Sequence, residues 1–272
     1  MEGAVSALLC RTSDRIAATS EGARELALAV AQRVGVEPRM IGSPGEPGDT
    51  RYDDDLRDAR GCLLEAGGQV EDALTGGRFP ILTSSDCSIC ITTLPAVARL
   101  RPDAVVLWLD AHPDFNDPET TQSGFLGGMC LAAACGAWDA GLGAGTIDPS
   151  RVVMSGIRDV EAGERVLVET KGVGLVERPS QLGDVLSGRE VFIHLDLDVL
   201  DPSVMPGLHW PSDGGFSDGG LRTLLAEVAE AADIVGLQIT DFPAPALARR
   251  VATIVEPVLP LVAIDPEGGS VP

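Results

Sequence analysis

The sequence predicts an α/β fold with three layers, α/β/α, around a mostly parallel central sheet. Short apolar runs alternate along the chain with longer segments in which apolar residues recur at helical spacing. The 272 residues are 44% hydrophobic and 22% charged, so the chain can bury a large core. Since no low-complexity segment divides the sequence, we expect a single domain over residues 1–272.

Seven apolar runs predict the strands of this sheet. In chain order they cover residues 4–10, 38–42, 79–83, 104–110, 151–155, 191–198 and 234–240. Helical segments lie between them. Residues 20–34 predict a helix with an apolar stripe of Ala and Leu, and Ser20 is its predicted N-terminal cap. A second helix is predicted after Ser217, where Leu221, Leu224 and Leu225 recur at helical spacing.

Two short acidic runs at the ends of predicted strands are the strongest indication of chemistry. Asp110, His112 and Asp114 follow one apolar run, and Asp196 and Asp198 lie at the end of another. Because alternate side chains of a strand point to one face, each run is expected to converge on one side. Four carboxylates and one imidazole suit a hard or borderline divalent ion, Mn²⁺ above all, and exceed what one ion needs. One Asp at a strand end usually only caps a sheet, but two such clusters favour two adjacent metals.

The charge of the chain restricts its partners. The formal net charge of -21 repels phosphate backbones and anionic lipid surfaces, so nucleic acid and membranes are poor partners and a small cationic substrate is favoured. Much of this acidity is expected to be a solvated surface. Arg11, Asp14 and Arg15 interrupt the first apolar run, which argues against a signal peptide and for the cytoplasm. No apolar run approaches the roughly 20 residues that span a bilayer.

The cysteines are expected to be free thiols. Their spacings show no small secreted framework, and a large cytosolic chain does not need disulfides. They are Cys10, Cys62, Cys87, Cys90, Cys130 and Cys135.

The acidic runs resemble motifs of the ureohydrolases, the family of arginase and agmatinase. That family has Asp-Ala-His-x-Asp after one strand, matched by residues 110–114, and Asp-x-Asp after another, matched by residues 196–198. The resemblance covers roughly residues 80–245 and implies an arginase-like fold, an Mn²⁺ centre and hydrolysis of a guanidino group. It assigns one metal position to Cys87, Asp110, Asp114 and Asp196, and the neighbouring position to His112, Asp110, Asp196 and Asp198.

Several residues depart from the family pattern. Cys87 stands in place of a histidine ligand, and since a thiol must lose its proton to ligate, we expect one firmly bound Mn²⁺ and a second that is weak or absent. Gly127 stands in place of a loop histidine that relays protons, while Phe125 and Trp210 replace an Asn and a Thr. His194 shares a strand face with the second acidic run and could orient a ligand or relay protons. A lone strand histidine is more often a hydrogen-bonded core residue.

The resemblance also implies an α-amino-acid substrate. The positions that match the family's contacts are Asn116 and Ser123 for the α-carboxylate, Asp159, Glu161 and Glu164 for the α-amino group, and Asp241 for the guanidino group. Asp241 is one carbon shorter than the family's Glu, which leaves room for an added hydroxyl group.

The resemblance, taken with these departures, implies an amidinohydrolase that cleaves Nω-hydroxy-L-arginine to L-ornithine and hydroxyurea, similar to the cysteine-substituted subgroup that serves D-cycloserine biosynthesis. A hydroxyguanidine is less basic than a guanidine, so its carbon needs less activation. Asp114 is expected to hold the attacking water and pass a proton to the departing amine, with His194 as the second catalytic candidate. Ordinary arginase, a proclavaminate-type amidinohydrolase and a non-catalytic amino-acid-binding protein remain alternatives. A homo-oligomer is compatible with the sequence.

Overall fold

The structure, a computed structural model, describes residues 1–261 and contains one eight-stranded sheet. Its strands are β1 (Gly3–Leu8), β2 (Arg39–Ile41), β3 (Phe79–Ser84), β4 (Val105–Leu109), β5 (Val152–Ser155), β6 (Gly174–Leu175), β7 (Glu190–Asp196) and β8 (Asp233–Thr240). The spatial order is β2-β1-β3-β8-β7-β4-β5-β6, and each neighbouring pair is parallel. The predicted parallel α/β class is confirmed.

Helices cover both faces of this sheet. They are α1 (Ala18–Val34), α2 (Tyr52–Asp58), α3 (Arg60–Thr75), α4 (Cys90–Leu100), α5 (Cys130–Ala134), α6 (Ala162–Lys171), α7 (Leu182–Leu186), α8 (Asp218–Ala231) and α9 (Ala248–Val255). Residues of α1, α7, α8 and α9 belong to one apolar core, and residues of α3, α4 and α5 belong to a second. The three layers expected from the sequence are therefore present.

Strand β4 illustrates why the central strands are apolar throughout. Val105, Leu107 and Leu109 enter one core, whereas Val106 and Trp108 enter the other. Side chains of a strand alternate between faces, so a strand that is covered on both sides must be apolar at every position. Such a strand delivers the polar residue that follows it to a defined point at the carboxyl edge of the sheet.

Four predicted strands end earlier than expected: β1 by two residues, β2 by one residue, and β4 and β7 at the acidic runs. Strand β4 ends at Leu109, and the first acidic run, residues 110–114, lies in the following loop. Strand β7 ends at Asp196, and Asp198 lies in the 3₁₀ turn Leu197–Val199. The N–H of Asp198 donates to Asp196 Oδ1 at 2.8 Å. Strand alternation was therefore the wrong reason for expecting these side chains to converge. Turns closed by carboxylate-to-backbone hydrogen bonds bring them together instead.

Two helix starts test the predicted caps. Helix α8 follows Ser217 as predicted, and Ser217 Oγ accepts a hydrogen bond from the N–H of Gly220 at 3.1 Å, which caps the helix. Ser20 lies inside α1, which begins two residues earlier, so its predicted capping role was wrong. The two-residue edge strand β6 was not predicted because so short a run carries no periodicity.

Cys10 and Cys62 form a disulfide, so the expectation of free thiols was wrong for this pair. Cys10 lies just after β1, and Cys62 lies in the first turn of α3. Packing of this helix against the sheet brings the two Cα atoms to 6.4 Å, a separation that a disulfide can span. The 52-residue separation in sequence gave no indication of the pairing. Cys87, Cys90, Cys130 and Cys135 are free and buried.

Within residues 1–261, no helix is both long enough and apolar enough to span a membrane.

Candidate metal centre and active site

A cavity of about 200 Å³ opens at the carboxyl edge of the sheet. The four central neighbours in the sheet, β3, β8, β7 and β4, are followed or ended by Cys87, Asp241, Asp196 and Asp110, and all four of these side chains line the cavity. Ligands of open parallel sheets bind beyond the carboxyl ends of the strands. The fold thus concentrates the predicted ligands where a bound molecule is expected.

One group of metal-binding side chains surrounds Cys87. The donor atoms of Cys87, Asp110, His194 and Asp196 all lie within 4.8 Å of one another. Cys87 Sγ is 2.7 Å from Asp196 Oδ2, to which it donates, and 2.9 Å from the hydroxyl of Thr240. The thiol is therefore held by the carboxylate that the resemblance also assigns to this position.

A second group surrounds His112. Its members, Asp110, His112 and Asp198, again have donor atoms within 4.8 Å of one another, and Asp110 belongs to both groups. His112 Nδ1 is 2.8 Å from Asp198 Oδ2 and 3.5 Å from Asp110 Oδ1. The loop is closed by two backbone donors: the N–H of His112 to Asp110 Oδ1 at 2.7 Å, and the N–H of Ala111 to Asp198 Oδ1 at 3.0 Å. These bonds orient both carboxylates.

The buried carboxylates of these groups lack enough positive charge to neutralise them. Burial, together with the charge of Asp198, raises the pKa of Asp196 to about 7, and burial with the charge of Asp110 raises the pKa of Asp198 to about 6. Burial also raises the pKa of Asp110, next to Asp196. Burial alone would lower the pKa of His112, but hydrogen bonds to Asp110 and Asp198 raise it to about 12. One imidazolium cannot neutralise so many buried carboxylates.

Asp114 and Asp241 are the non-glycine residues with positive φ in the described chain, each at 50°. Asp adopts this left-handed region at a cost, and such strained backbone is common where a side chain must be aimed at a functional site. Both carboxylates line the cavity. Asp241 falls into a further group with Asp196 and Asp198. Asp114 lies outside the three metal-binding groups of the described residues, and its Oδ2 is 3.7 Å from Cys130 Sγ.

His194 is fully buried and does not line the cavity. Its ring stacks on Trp108 with centroids 3.6 Å apart. Nδ1 is 2.6 Å from the amide nitrogen of Gln238, and Nε2 is 3.4 Å from Cys87 Sγ. Burial lowers the pKa of His194 to about 3, so the ring is neutral. This geometry lets the ring position the Cys87 thiol, and it gives no direct access to a molecule in the cavity.

The predicted amino-acid contacts surround the rest of the cavity, whose lining includes Asn116, Ser123, Asp159, Glu161 and Glu164. Asn116 Oδ1 and Glu161 Oε2 are buried and have no hydrogen-bond partner. Buried polar atoms normally have one, so these two atoms are suited to contact a ligand. Both carboxylate oxygens of Glu164 already accept hydrogen bonds from the backbone at the start of α6. Oε1 accepts from the N–H of Phe115 at 2.7 Å, and Oε2 accepts from the N–H of Glu161 at 3.3 Å.

The N-terminal segment after β1 was missed by the sequence reasoning. Asp14, Arg15, Ile16 and Thr19 line the cavity. Asp14 Oδ2 accepts from the N–H of Thr12, and Oδ1 accepts from the Thr19 hydroxyl, so the segment folds around this carboxylate. No motif marks these residues. The available signal was their position directly after a strand of a parallel sheet.

The side chains fit divalent metal ions. Carboxylate oxygens and one imidazole are the donors that Mn²⁺ prefers, and two groups that share Asp110 match a pair of adjacent positions. Buried carboxylates whose pKa values are raised above the ordinary range are stabilised when a cation binds among them. Asp110, His112, Asp196 and Asp198 would hold one ion. Cys87 with Asp110 and Asp196 would form the other position.

Comparisons with known proteins agree with this geometry. Residues 46–255 match the model of the arginase family. The chain is 37% identical to the N(omega)-hydroxy-L-arginine amidinohydrolase of Streptomyces lavendulae, over 93% of each chain. It is 33% identical to the arginase of Bacillus caldovelox over 63% of this chain and 64% of that one. The crystal structure of the Bacillus subtilis arginase shares the fold, with a TM-score of 0.84 at 23% identity, and covers 97% of this chain and all of that chain. The chain therefore belongs to the arginase family of amidinohydrolases.

Proposed function

We propose that the protein hydrolyses Nω-hydroxy-L-arginine to L-ornithine and hydroxyurea and that it depends on Mn²⁺. The observation that carries this proposal is that Cys87, which the resemblance matches to a histidine ligand of the family, lies inside a metal-binding group. The 37% identity with a relative named for hydroxyarginine hydrolysis supports the same substrate.

The surroundings of Cys87 make it a weak ligand for Mn²⁺. Burial and the charges of Asp196, Asp114 and Asp110 raise the pKa of the thiol well above its ordinary value. A protonated thiol does not ligate, and a thiolate prefers softer ions. We therefore propose one firmly bound Mn²⁺, held by Asp110, His112, Asp196 and Asp198, and a second position that is poorly filled. A bound ion supplies Lewis acidity and lowers the pKa of water.

The protein's own residues would bind and orient the substrate. The amide of Asn116 and the hydroxyl of Ser123 would contact the α-carboxylate, and Glu161, with Asp159 and Glu164 nearby, would contact the α-amino group. Asp241 would contact the hydroxyguanidino group beside Asp196 and Asp198. Polar groups at both ends would fix the guanidino carbon relative to the deep carboxylates.

Asp114 is the proposed proton carrier. Its carboxylate borders the cavity, and burial with the charge of Asp110 raises its pKa well above the ordinary value, so it can hold a proton. In the hydrolysis, the oxygen of water bonds to the guanidino carbon, the bond from that carbon to the ornithine nitrogen breaks, and Asp114 delivers the water's proton to that nitrogen. His194 would act only by positioning Cys87.

A hydroxyguanidine suits this site better than a guanidine. It is less basic and more easily neutral, so its carbon is attacked with less assistance. Gly127 has no side chain to relay protons, which leaves the site short of the help that plain arginine needs. The rival functions are an ordinary arginase, a proclavaminate-type amidinohydrolase and an amino-acid-binding protein without turnover.

The test is an assay of hydroxyurea and urea release, with and without Mn²⁺, on hydroxyarginine, L-arginine and agmatine. Mn²⁺-dependent hydroxyurea release that exceeds urea release supports the proposal. Binding of amino acids without release of either product would support the non-catalytic rival, and equal release from both arginines would favour an ordinary arginase.

A further inference from the structure

The cavity has one arginine and no lysine among its described lining residues, and the imidazole of His112 is paired with Asp110 and Asp198 at the metal-binding groups. Among the described residues that line it, ten are Asp or Glu, and Arg15 is the only Arg or Lys. An α-amino acid brings a carboxylate into this acidic cavity, where like charges repel it. The metal positions serve the guanidino end of the substrate. The carboxylate at the opposite end therefore needs a cation of its own.

The contacts of Arg15 fix its position without neutralising it. Nη1 is 3.0 Å from Asp49 Oδ1, Nη2 donates to the carbonyl of Thr50 at 3.3 Å, and the guanidinium lies 4.9 Å from the ring centroid of Phe125. The side chain of Arg15 is 12% exposed, but that of Asp49 is 87% exposed. An ion pair with so exposed a partner is weak. Nε of Arg15 is buried and has no hydrogen-bond partner.

Arg15 also lies at the end of the cavity expected to bind the carboxylate. Phe125, whose ring lies beneath the guanidinium, donates its backbone N–H to Ser123 Oγ at 3.2 Å. The N–H of Tyr52 donates to the carbonyl of Gly124 at 2.8 Å. Tyr52 lies two residues after Thr50, whose carbonyl accepts a hydrogen bond from Arg15. One short segment therefore holds both the Ser123 loop and Arg15.

We propose that Arg15 recognises the α-carboxylate of the amino-acid substrate and so favours α-amino acids over decarboxylated analogues. This inference rests on the proposed function, because it requires an α-amino acid in the cavity. A guanidinium presents paired donors that match a carboxylate, and it acts in an environment where the competing charges are negative. Arg15 is thus a specificity-determining residue that the sequence motifs do not mark.

The test is equilibrium binding of L-ornithine and of putrescine to the Mn²⁺-loaded protein by calorimetry. Putrescine has the same diamine chain without the carboxylate. Arg15→Met keeps an apolar stem that can pack on Phe125, and Arg15→Lys keeps the charge without the fork. Arg51→Met is the matched control, because Arg51 is a neighbouring arginine, 64% exposed and stacked on Tyr52, that does not line the cavity.

We expect Arg15→Met to weaken L-ornithine binding by about 10- to 100-fold and to leave putrescine binding unchanged, with Arg15→Lys between the two and Arg51→Met like wild type. An unchanged melting temperature shows that the variant is folded. Unchanged L-ornithine binding in Arg15→Met, or equal losses for both ligands, would overturn the role of Arg15 while hydroxyurea release by the wild type leaves the proposed function standing. A wild type that binds no L-ornithine and releases no hydroxyurea would overturn both.

Discussion

The ring of Phe125 packs directly against the backbone of Gly127. A Cβ atom at residue 127 would lie 2.5 Å from Cε1 and 2.7 Å from Cζ of Phe125, closer than real Cβ atoms approach. The same Cβ would lie 3.2 Å from Asp86 Oδ2. A side chain at residue 127 and the ring of Phe125 therefore compete for the same space.

The first prediction follows from this contact. Gly127→His should lower the free energy of unfolding by about 1–3 kcal/mol through overpacking. Phe125→Asn combined with Gly127→His should recover most of that loss, because the double change removes the clashing ring. Thermal unfolding of the two single variants and the double variant measures the coupling. Gly128→Ala is the control, since its nearest neighbour would be 3.9 Å away. Additive losses in the double variant would show that the ring does not occupy the space.

The second prediction concerns the metal position at Cys87. The wild type, desalted after loading with Mn²⁺, should retain nearer one ion than two per chain, and Cys87→His should retain nearer two, because imidazole ligates Mn²⁺ without losing a proton that burial holds in place. Elemental analysis measures both. Cys90→Ala, a change at a buried thiol that does not line the cavity, should leave the ion content as in wild type. Two stable ions in the wild type would disprove the weakness of this position.

The third prediction concerns metal removal. Chelation should lower the melting temperature of the wild type, because Asp110, Asp196 and Asp198 are then buried together without their cation. Asp110→Asn should raise the unfolding free energy of the metal-free protein by about 1–2 kcal/mol and abolish the gain from Mn²⁺. The amide oxygen can still accept from the N–H of His112, so the loop is kept.

The pH dependence of the metal-free protein checks that third prediction. Folding raises the pKa of Asp198 to about 6 and of Asp196 to about 7. The charged carboxylate of each residue is therefore less stable in the folded state than in the unfolded state. Each of these two carboxyl groups should therefore lower stability as pH rises from about 4 to about 7, and His112, whose pKa is raised from 6.5, adds to the fall only at the upper end of this range. His194, whose pKa is lowered to about 3, acts in the opposite direction, but it is one group against two, so the net change should be a fall. Melting curves of the metal-free wild type that show rising stability over this range would contradict the account.

The fourth prediction concerns the disulfide. Alkylation of the denatured, unreduced protein should label four cysteines, and reduction should expose Cys10 and Cys62. Cys62→Ser should destabilise the fold by about 2–4 kcal/mol, as loss of a cross-link usually does. Because the disulfide lies directly before the segment that contains Arg15, the variant should also bind L-ornithine more weakly. Labelling of all six cysteines before reduction would contradict the pairing.

The parallel sheet and the deep end of the site could be predicted from sequence because each rests on a local pattern. Strand β4 is apolar on both faces and ends in a polar run, so its identity and the place of Asp110 can both be inferred from consecutive residues. The metal-binding groups follow from two such runs on neighbouring strands, β4 and β7. The exact ends of the strands could not be predicted, since carboxylate-closed turns at Asp110 and Asp196 replace strand geometry.

The rest of the site depends on segments that meet only in the folded chain. Arg15 is held by residues 49–50 and packs on Phe125, and neither the segment of Arg15 nor residues 49–50 carries a periodic or motif signal. The pairing of Cys10 with Cys62 likewise requires α3 to be docked on the sheet. His194 could be placed on its strand from sequence, but only its stacking on Trp108 shows that it is enclosed and cannot reach the cavity.

The most direct test of the central claim is a competition assay in which Nω-hydroxy-L-arginine and L-arginine are offered together to the Mn²⁺-loaded enzyme and kcat/KM is measured for each. With a protonated thiol at Cys87 and no side chain at Gly127, we predict a ratio above about 10 in favour of hydroxyarginine. Specificity constants within about threefold of each other would contradict the account and assign the protein to the ordinary arginases.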